Sequence, residues 1–80
     1  MSQVPERLSN VVAGVLDIEP TQVTPDLAFG QIEAWDSFTH LQIILALETE
    51  YGIQFDPARY PKLGTIALLQ SELQSRGVTP

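Results

Sequence analysis

The chain predicts an all-α fold: a small bundle of three main helices plus one short helix, with a long loop after the first helix. Apolar residues recur at helical spacing in separate stretches, and proline and glycine punctuate what lies between them. There are no internal repeats and no low-complexity tracts, so the 80 residues read as one domain, residues 1–80.

The first helix is expected over Val4–Leu16. Val4, Leu8, Val11, Val12, Val15 and Leu16 fall on one stripe. Pro5 suits a first turn, where a missing N–H is not needed. The valines lower the intrinsic helix propensity, so tertiary packing must hold this helix.

From Asp17 to Asp36 no single period persists. Pro20, Pro25 and Gly30 interrupt the stretch, while Ile18, Val23, Leu27, Phe29 and Ile32 recur as apolar anchors. A structureless connection of that length is unusual in a small domain, which predicts a packed loop with a short helical turn near Pro25–Gly30.

Ser37–Tyr51 carries the strongest helix signal, ended by Gly52 as a left-handed cap. Its apolar residues form two seams. Ile43, Ile44, Leu47 and Tyr51 make one, and Phe38, Leu41 and Leu45 make the other. Such a helix is either buried on most sides, or has one seam for the core and one for a partner. A last helix is expected over Ile66–Ser75, with Thr65 as N-cap and Gly77 beyond its end. Between them, Phe55–Leu63 has room for a turn or two of helix that starts at Pro57 and is stopped by Pro61.

Composition narrows the function classes. Hydrophobic content of 44% against 18% charged residues is that of a folded domain. With no cysteine and one histidine, disulfides, thiolate metal sites and thiol catalysis are excluded, and no metal site is expected. A net charge of −6 leaves too few cations to neutralise nucleic-acid phosphates. The acidity points to basic protein partners or to solubility alone. No apolar run approaches the ~20 residues of a membrane span, and the Met1–Arg7 start lacks a secretory apolar segment. The expectation is a cytoplasmic monomer without membrane or nucleic-acid partners.

Asp36, Ser37 and His40 lie close enough to invite a hydrolase reading. A triad needs a base held by a third group and an oxyanion hole beside a pocket, and a chain this short has little room for them. No catalytic residue is assigned. The Asp36-Ser37 pair instead marks a loop-to-helix junction. The positive end of the helix dipole would stabilise a negative group on Ser37 Oγ there, although a plain N-cap gives the same pattern. His40 projects to the inward side of the helix and is expected to be a packed, neutral ring. Trp35 is either a core lid over the first loop or an exposed contact for a partner, and the high average burial of tryptophan favours the lid.

The stretch around Ser37 resembles the acyl and peptidyl carrier protein family. That family's Asp-Ser-Leu motif corresponds to Asp36-Ser37-Phe38. Val23-Thr24-Pro25-Asp26 and Phe29 are similar to its first loop. Leu45-Ala46-Leu47-Glu48-Thr49-Glu50-Tyr51-Gly52-Ile53 is similar to the end of its second helix, and Lys62-Leu63-Gly64-Thr65-Ile66 to the entry of its last.

The resemblance implies a carrier domain that is not an enzyme. Ser37 would be esterified by 4′-phosphopantetheine, donated from coenzyme A by a separate magnesium-using phosphopantetheinyl transferase. Asp36 would belong to the recognition motif. The arm's thiol would carry an acyl or aminoacyl thioester, loaded by a ligase or acyltransferase and passed to downstream biosynthetic enzymes. Phe38, Leu41 and Leu45 would form the partner-docking face, with Glu48 pairing basic residues on partners. Thr39 and Gln42 stand where fatty-acid carriers often have acids, and Phe38 replaces the usual leucine. These departures point to a specialised biosynthetic pathway. The alternative is an unmodified acidic interaction module that keeps the carrier fold as a scaffold.

Overall fold

The computed structural model describes residues 4–80. Residues 1–3, part of the start read above for a signal segment, lie outside the described residues. The element order is α1 (Glu6–Leu16), a 3₁₀ turn (Pro20–Gln22), α2 (Ser37–Tyr51), a 3₁₀ segment (Pro57–Lys62) and α3 (Ile66–Ser75). The bundle is helical, as the apolar spacing predicts. The short pieces are two rather than one, and both are 3₁₀.

α1 starts two residues later than its apolar stripe because Pro5 takes the cap position and leaves Val4 outside. Leu8, Val12 and Leu16 are buried, and Asp17 closes the helix in the left-handed region at φ 59°. Asp is one of the few non-glycine residues that adopts this conformation readily. Arg7 reaches from the start of α1 to the end of α2. Its Nε donates to Glu50 Oε2 at 2.7 Å and its Nη2 to the Glu50 carbonyl at 2.8 Å.

The long loop is packed, as its length predicts, but its helical turn lies at Pro20–Gln22, not near Pro25–Gly30. The Glu19 N–H donates to Gln22 Oε1 at 2.9 Å, and a proline at the first position starts the turn. Residues 25–30 pair instead with the approach to α3. The Phe29 N–H donates to the Gly64 carbonyl at 2.8 Å, Ile66 N–H to Leu27 at 3.1 Å, and Ala67 N–H to Pro25 at 2.9 Å. Two orphan donors of the α3 start are thereby satisfied by loop carbonyls, and a local helical turn would have withdrawn those acceptors. Val23 and Leu27 are buried. Ile18 and Ile32 pack at the core margin. Phe29 does not act as a buried anchor, because 43% of its surface stays open.

α2 is the central helix. Ile43, Ile44 and Leu47 are completely buried, and Tyr51 nearly so. Its capping glycine takes φ 67°, where a side chain would be strained. Pro61 does not stop the segment before α3. The 3₁₀ pattern takes its hydrogen bonds on either side of Pro61, from Arg59 N–H to Asp56 and from Leu63 N–H to Tyr60. In α3, Ile66, Leu69 and Leu73 are fully buried, and Thr65 Oγ1 caps it by accepting from the Leu68 N–H. Glu72 is also buried. It accepts from Arg59 Nε at 3.0 Å and from Arg76 at 3.3 Å, joining the 3₁₀ segment to α3. No helix among the described residues is long and apolar enough to cross a membrane.

Candidate functional site

Ser37 is the first residue of α2 and is exposed. Asp36 precedes it in an extended conformation. Its Oδ1 accepts from the Thr39 N–H at 2.9 Å and its carbonyl from the His40 N–H at 2.8 Å. Hydrogen bonding from the Thr39 amide holds the Asp36 carboxyl below the ordinary aspartate value. The cap therefore stays ionised and keeps the first turn of α2 formed directly under Ser37.

The loop before this junction is closed by the Gly30 N–H, which donates to the Trp35 carbonyl at 3.0 Å. Gly30 takes φ 81° to make that return. Trp35 is fully buried, so the expected lid is present. Its indole N–H donates to His40 Nδ1 at 3.0 Å. The other ring nitrogen of His40 lies 2.8 Å from the Tyr60 carbonyl. Both nitrogens are thus committed to structure, and the hydrolase reading loses its base. The packed ring expected for His40 is what the fold contains.

Ser37 stands at the edge of a groove of about 590 Å³, within the ~300–1,000 Å³ of small-molecule sites. Leu41 of α2, Phe29 of the loop, Tyr60 and Lys62 of the 3₁₀ segment, and Leu68 of α3 border it. Among the described residues, Lys62 is the one cation without a carboxylate within salt-bridge distance, since Arg7, Arg59 and Arg76 are all paired.

Phe38, Leu41 and Leu45 are 70%, 42% and 49% exposed, so α2 is not buried on most sides. The core takes Ile43, Ile44 and Leu47 and leaves the other seam to solvent beside Ser37. Glu48 lies at the margin, half-buried, where its Oε2 accepts from the Phe55 N–H at 2.8 Å. It ties down the chain after α2 with one oxygen.

An exposed serine at a capped helix start, after a packed loop and beside an open groove, is a place to attach an anionic group and an arm. The sequence profile of the phosphopantetheine attachment site matches residues 6–70. The chain belongs to the phosphopantetheine-binding carrier proteins.

It is 31% identical over 65 residues to an acyl carrier protein of Thermosynechococcus vestitus, a match spanning 81% of this chain and 80% of that one. It is 38% identical over 72 residues to polyketide-8 synthase acyl carrier protein 2 of Streptomyces avermitilis, over 85% and 83% of the two chains. A member of this family is a carrier and not an enzyme; its cofactor is phosphopantetheine, and it works with a phosphopantetheinyl transferase and with biosynthetic enzymes.

The residues present fit that cofactor. The helix dipole favours a phosphate at the α2 start, and the groove beside Ser37 has the room an arm requires. Tyr60, Lys62 and Leu68 were not singled out from the sequence. Tyr60 and Lys62 lie in the run Tyr60-Pro61-Lys62-Leu63, which carries no periodicity, and Leu68 lies in the last helix with nothing local to set it beside Ser37.

Proposed function

We infer that Ser37 is the attachment residue and that residues 1–80 form a single carrier domain bearing 4′-phosphopantetheine as a phosphodiester on Ser37 Oγ. The observation that carries this reading is the exposed Ser37 hydroxyl at the capped start of α2, on the edge of the groove. In the transfer, Ser37 Oγ loses its proton and forms a bond to the phosphorus of coenzyme A that bears the pantetheine; the bond to the 3′,5′-ADP half breaks and that half leaves. The bound group supplies a thiol that carries an acyl or aminoacyl cargo as a thioester. Asp36 holds the helix start in place, and the amide dipoles of the first turn offset the phosphate charge.

Phe38, Leu41 and Leu45 form the docking face for the transferase, a loading ligase or acyltransferase, and downstream enzymes. An exposed apolar strip beside a modified residue is what a transient partner recognises. Glu48 contributes its second carboxylate oxygen at the rim. The pathway is a specialised one in the cytoplasm. Thr39 and Gln42 on the α2 surface, and the likeness to a polyketide synthase carrier, support this over general fatty-acid synthesis.

Intact mass after incubation with coenzyme A and a promiscuous phosphopantetheinyl transferase tests the reading. The chain should gain one phosphopantetheine, and Ser37→Ala should gain none. No gain in the wild type, with a control carrier modified in parallel, would leave an unmodified interaction module.

A further inference from the structure

We propose that His40 is the positioning residue of the attachment site: one ring, held in one tautomer, sets the first loop and the 3₁₀ segment around Ser37 and releases both when it takes up a proton. The part concerning Ser37 rests on the function inferred above; the part concerning the ring does not.

An indole N–H is a donor and nothing else, so the 3.0 Å contact from Trp35 Nε1 makes His40 Nδ1 an acceptor without a proton. In the neutral ring the proton is therefore on Nε2, which donates to the Tyr60 carbonyl at 2.8 Å. Each bond selects the tautomer that the other needs. The ring is 8% exposed, lies roughly parallel to the Trp35 indole at a centroid distance of 5.9 Å, and meets Phe29 edge-on at 5.3 Å.

His40 thereby touches the loop at Phe29 and at Trp35 and the 3₁₀ segment at Tyr60; Phe29 and Tyr60 border the groove, and Trp35 lies buried behind it. Trp35 directly precedes Asp36 and Ser37, and its carbonyl receives the Gly30 N–H that closes the loop. The placement of the attachment serine is thus coupled to one acceptor atom.

A proton on Nδ1 turns that acceptor into a donor aimed at another donor. The Trp35 bond cannot survive in this geometry, and a buried indole N–H is left without a partner. The titratable and charged groups near the ring are few. Tyr60 and Lys62 border the groove from the 3₁₀ segment, and Asp36 caps α2 one turn before the ring. Phe29 and Trp35 from the loop, and Thr65 and Leu68 from α3, bring no titratable group. Histidine is the side chain that ordinarily changes charge between about pH 5 and pH 8, and His40 is the one histidine of the chain.

The test uses the unmodified full chain, labelled with ¹⁵N and titrated by NMR from about pH 8 to about pH 5. The ring nitrogens should show the Nε2–H tautomer at the upper end. The Trp35 indole proton and the amides of Phe29 and Leu63 should then move with the same midpoint as the ring. In parallel, transfer of the arm to Ser37 is measured against pH, relative to a second carrier that lacks this histidine. The relative rate should fall several-fold through that midpoint. His40→Asn, whose side-chain oxygen can accept from Trp35 but does not titrate, should give a flat relative profile.

An Nδ1–H tautomer, or a ring that titrates while the indole and the 3₁₀ segment stay still, overturns the proposal. So does an Asn variant that follows the wild-type profile. The wild-type titration decides the matter even if that variant fails to fold. Absence of transfer with a working control would count against Ser37 as the attachment point and leave the NMR result to judge His40.

Discussion

Leu45 and Leu47 lie two positions apart and on opposite sides of α2: Leu47 is completely buried, and Leu45 keeps 49% of its surface. A helical wheel places both in apolar seams. Only tertiary packing, with α1 against one side of α2, separates them.

The pair makes a direct prediction. Leu47→Ala should cost about 2–5 kcal/mol, the loss for a core leucine, measured by denaturant unfolding. Leu45→Ala should cost less than about 1 kcal/mol, because its exposed methyls leave no cavity. If Leu45 belongs to the docking face, its variant should instead slow arm transfer or cargo loading. A large stability loss with an unchanged rate would assign Leu45 to the core.

Acid should act on the start of α2 through Asp36. Its carboxyl is held below the ordinary value near 3.8, chiefly by the Thr39 amide. A lowered folded-state value means the stabilisation is fully present above the unfolded value and is lost as pH falls through the folded one. Asp36→Asn keeps a capping oxygen but does not titrate. It should therefore flatten this part of the acid unfolding curve, and a curve identical to wild type would place the acid sensitivity elsewhere.

At the alkaline end the responsible group is Tyr51. Burial pushes its phenol above the ordinary value of 10.0, nearby Arg7 pulls it down, and Glu50 pushes it up. A raised folded-state value gives stability that is complete below the unfolded value and lost as pH rises through the folded one. Tyr51→Phe should remove that alkaline loss. It also removes the 3.2 Å bond from the Tyr51 hydroxyl to the Pro80 carbonyl, so thermal melts at neutral pH should show a small, separate decrease.

Glu72 joins Arg59 and Arg76 from a buried position. Glu72→Ala should destabilise by about 1–3 kcal/mol, as for loss of a buried hydrogen-bond partner. The cost stays modest because both guanidiniums can turn to water, being 48% and 33% exposed. Amide hydrogen exchange should show the 3₁₀ segment opening before α2. Unchanged protection there would mean that its apolar contacts alone hold it.

Much of this molecule follows from local chemistry. The helix over Ser37–Tyr51, the cap at Asp36, the left-handed ending at Gly52 and the cap at Thr65 each depend on a few neighbouring residues, and each is present as the residue types predict. The helix start at Asp36-Ser37 is legible for the same reason, but the pair alone reads equally as a plain N-cap, and the resemblance to the carrier family is what singles out Ser37. Other features arise between residues far apart in the chain. The loop at 25–30 is not a helical turn because its carbonyls serve the start of α3, and Pro61 is accommodated because the 3₁₀ pattern does not need its nitrogen. Likewise, Phe29 stays exposed, and Glu48 is drawn to the Phe55 amide. The groove itself has walls from four segments, and His40 is shared between Trp35 and Tyr60, twenty residues along. Periodicity reports which side of a helix is apolar. Which apolar side is covered, and which polar atoms meet there, is decided only when the helices pack.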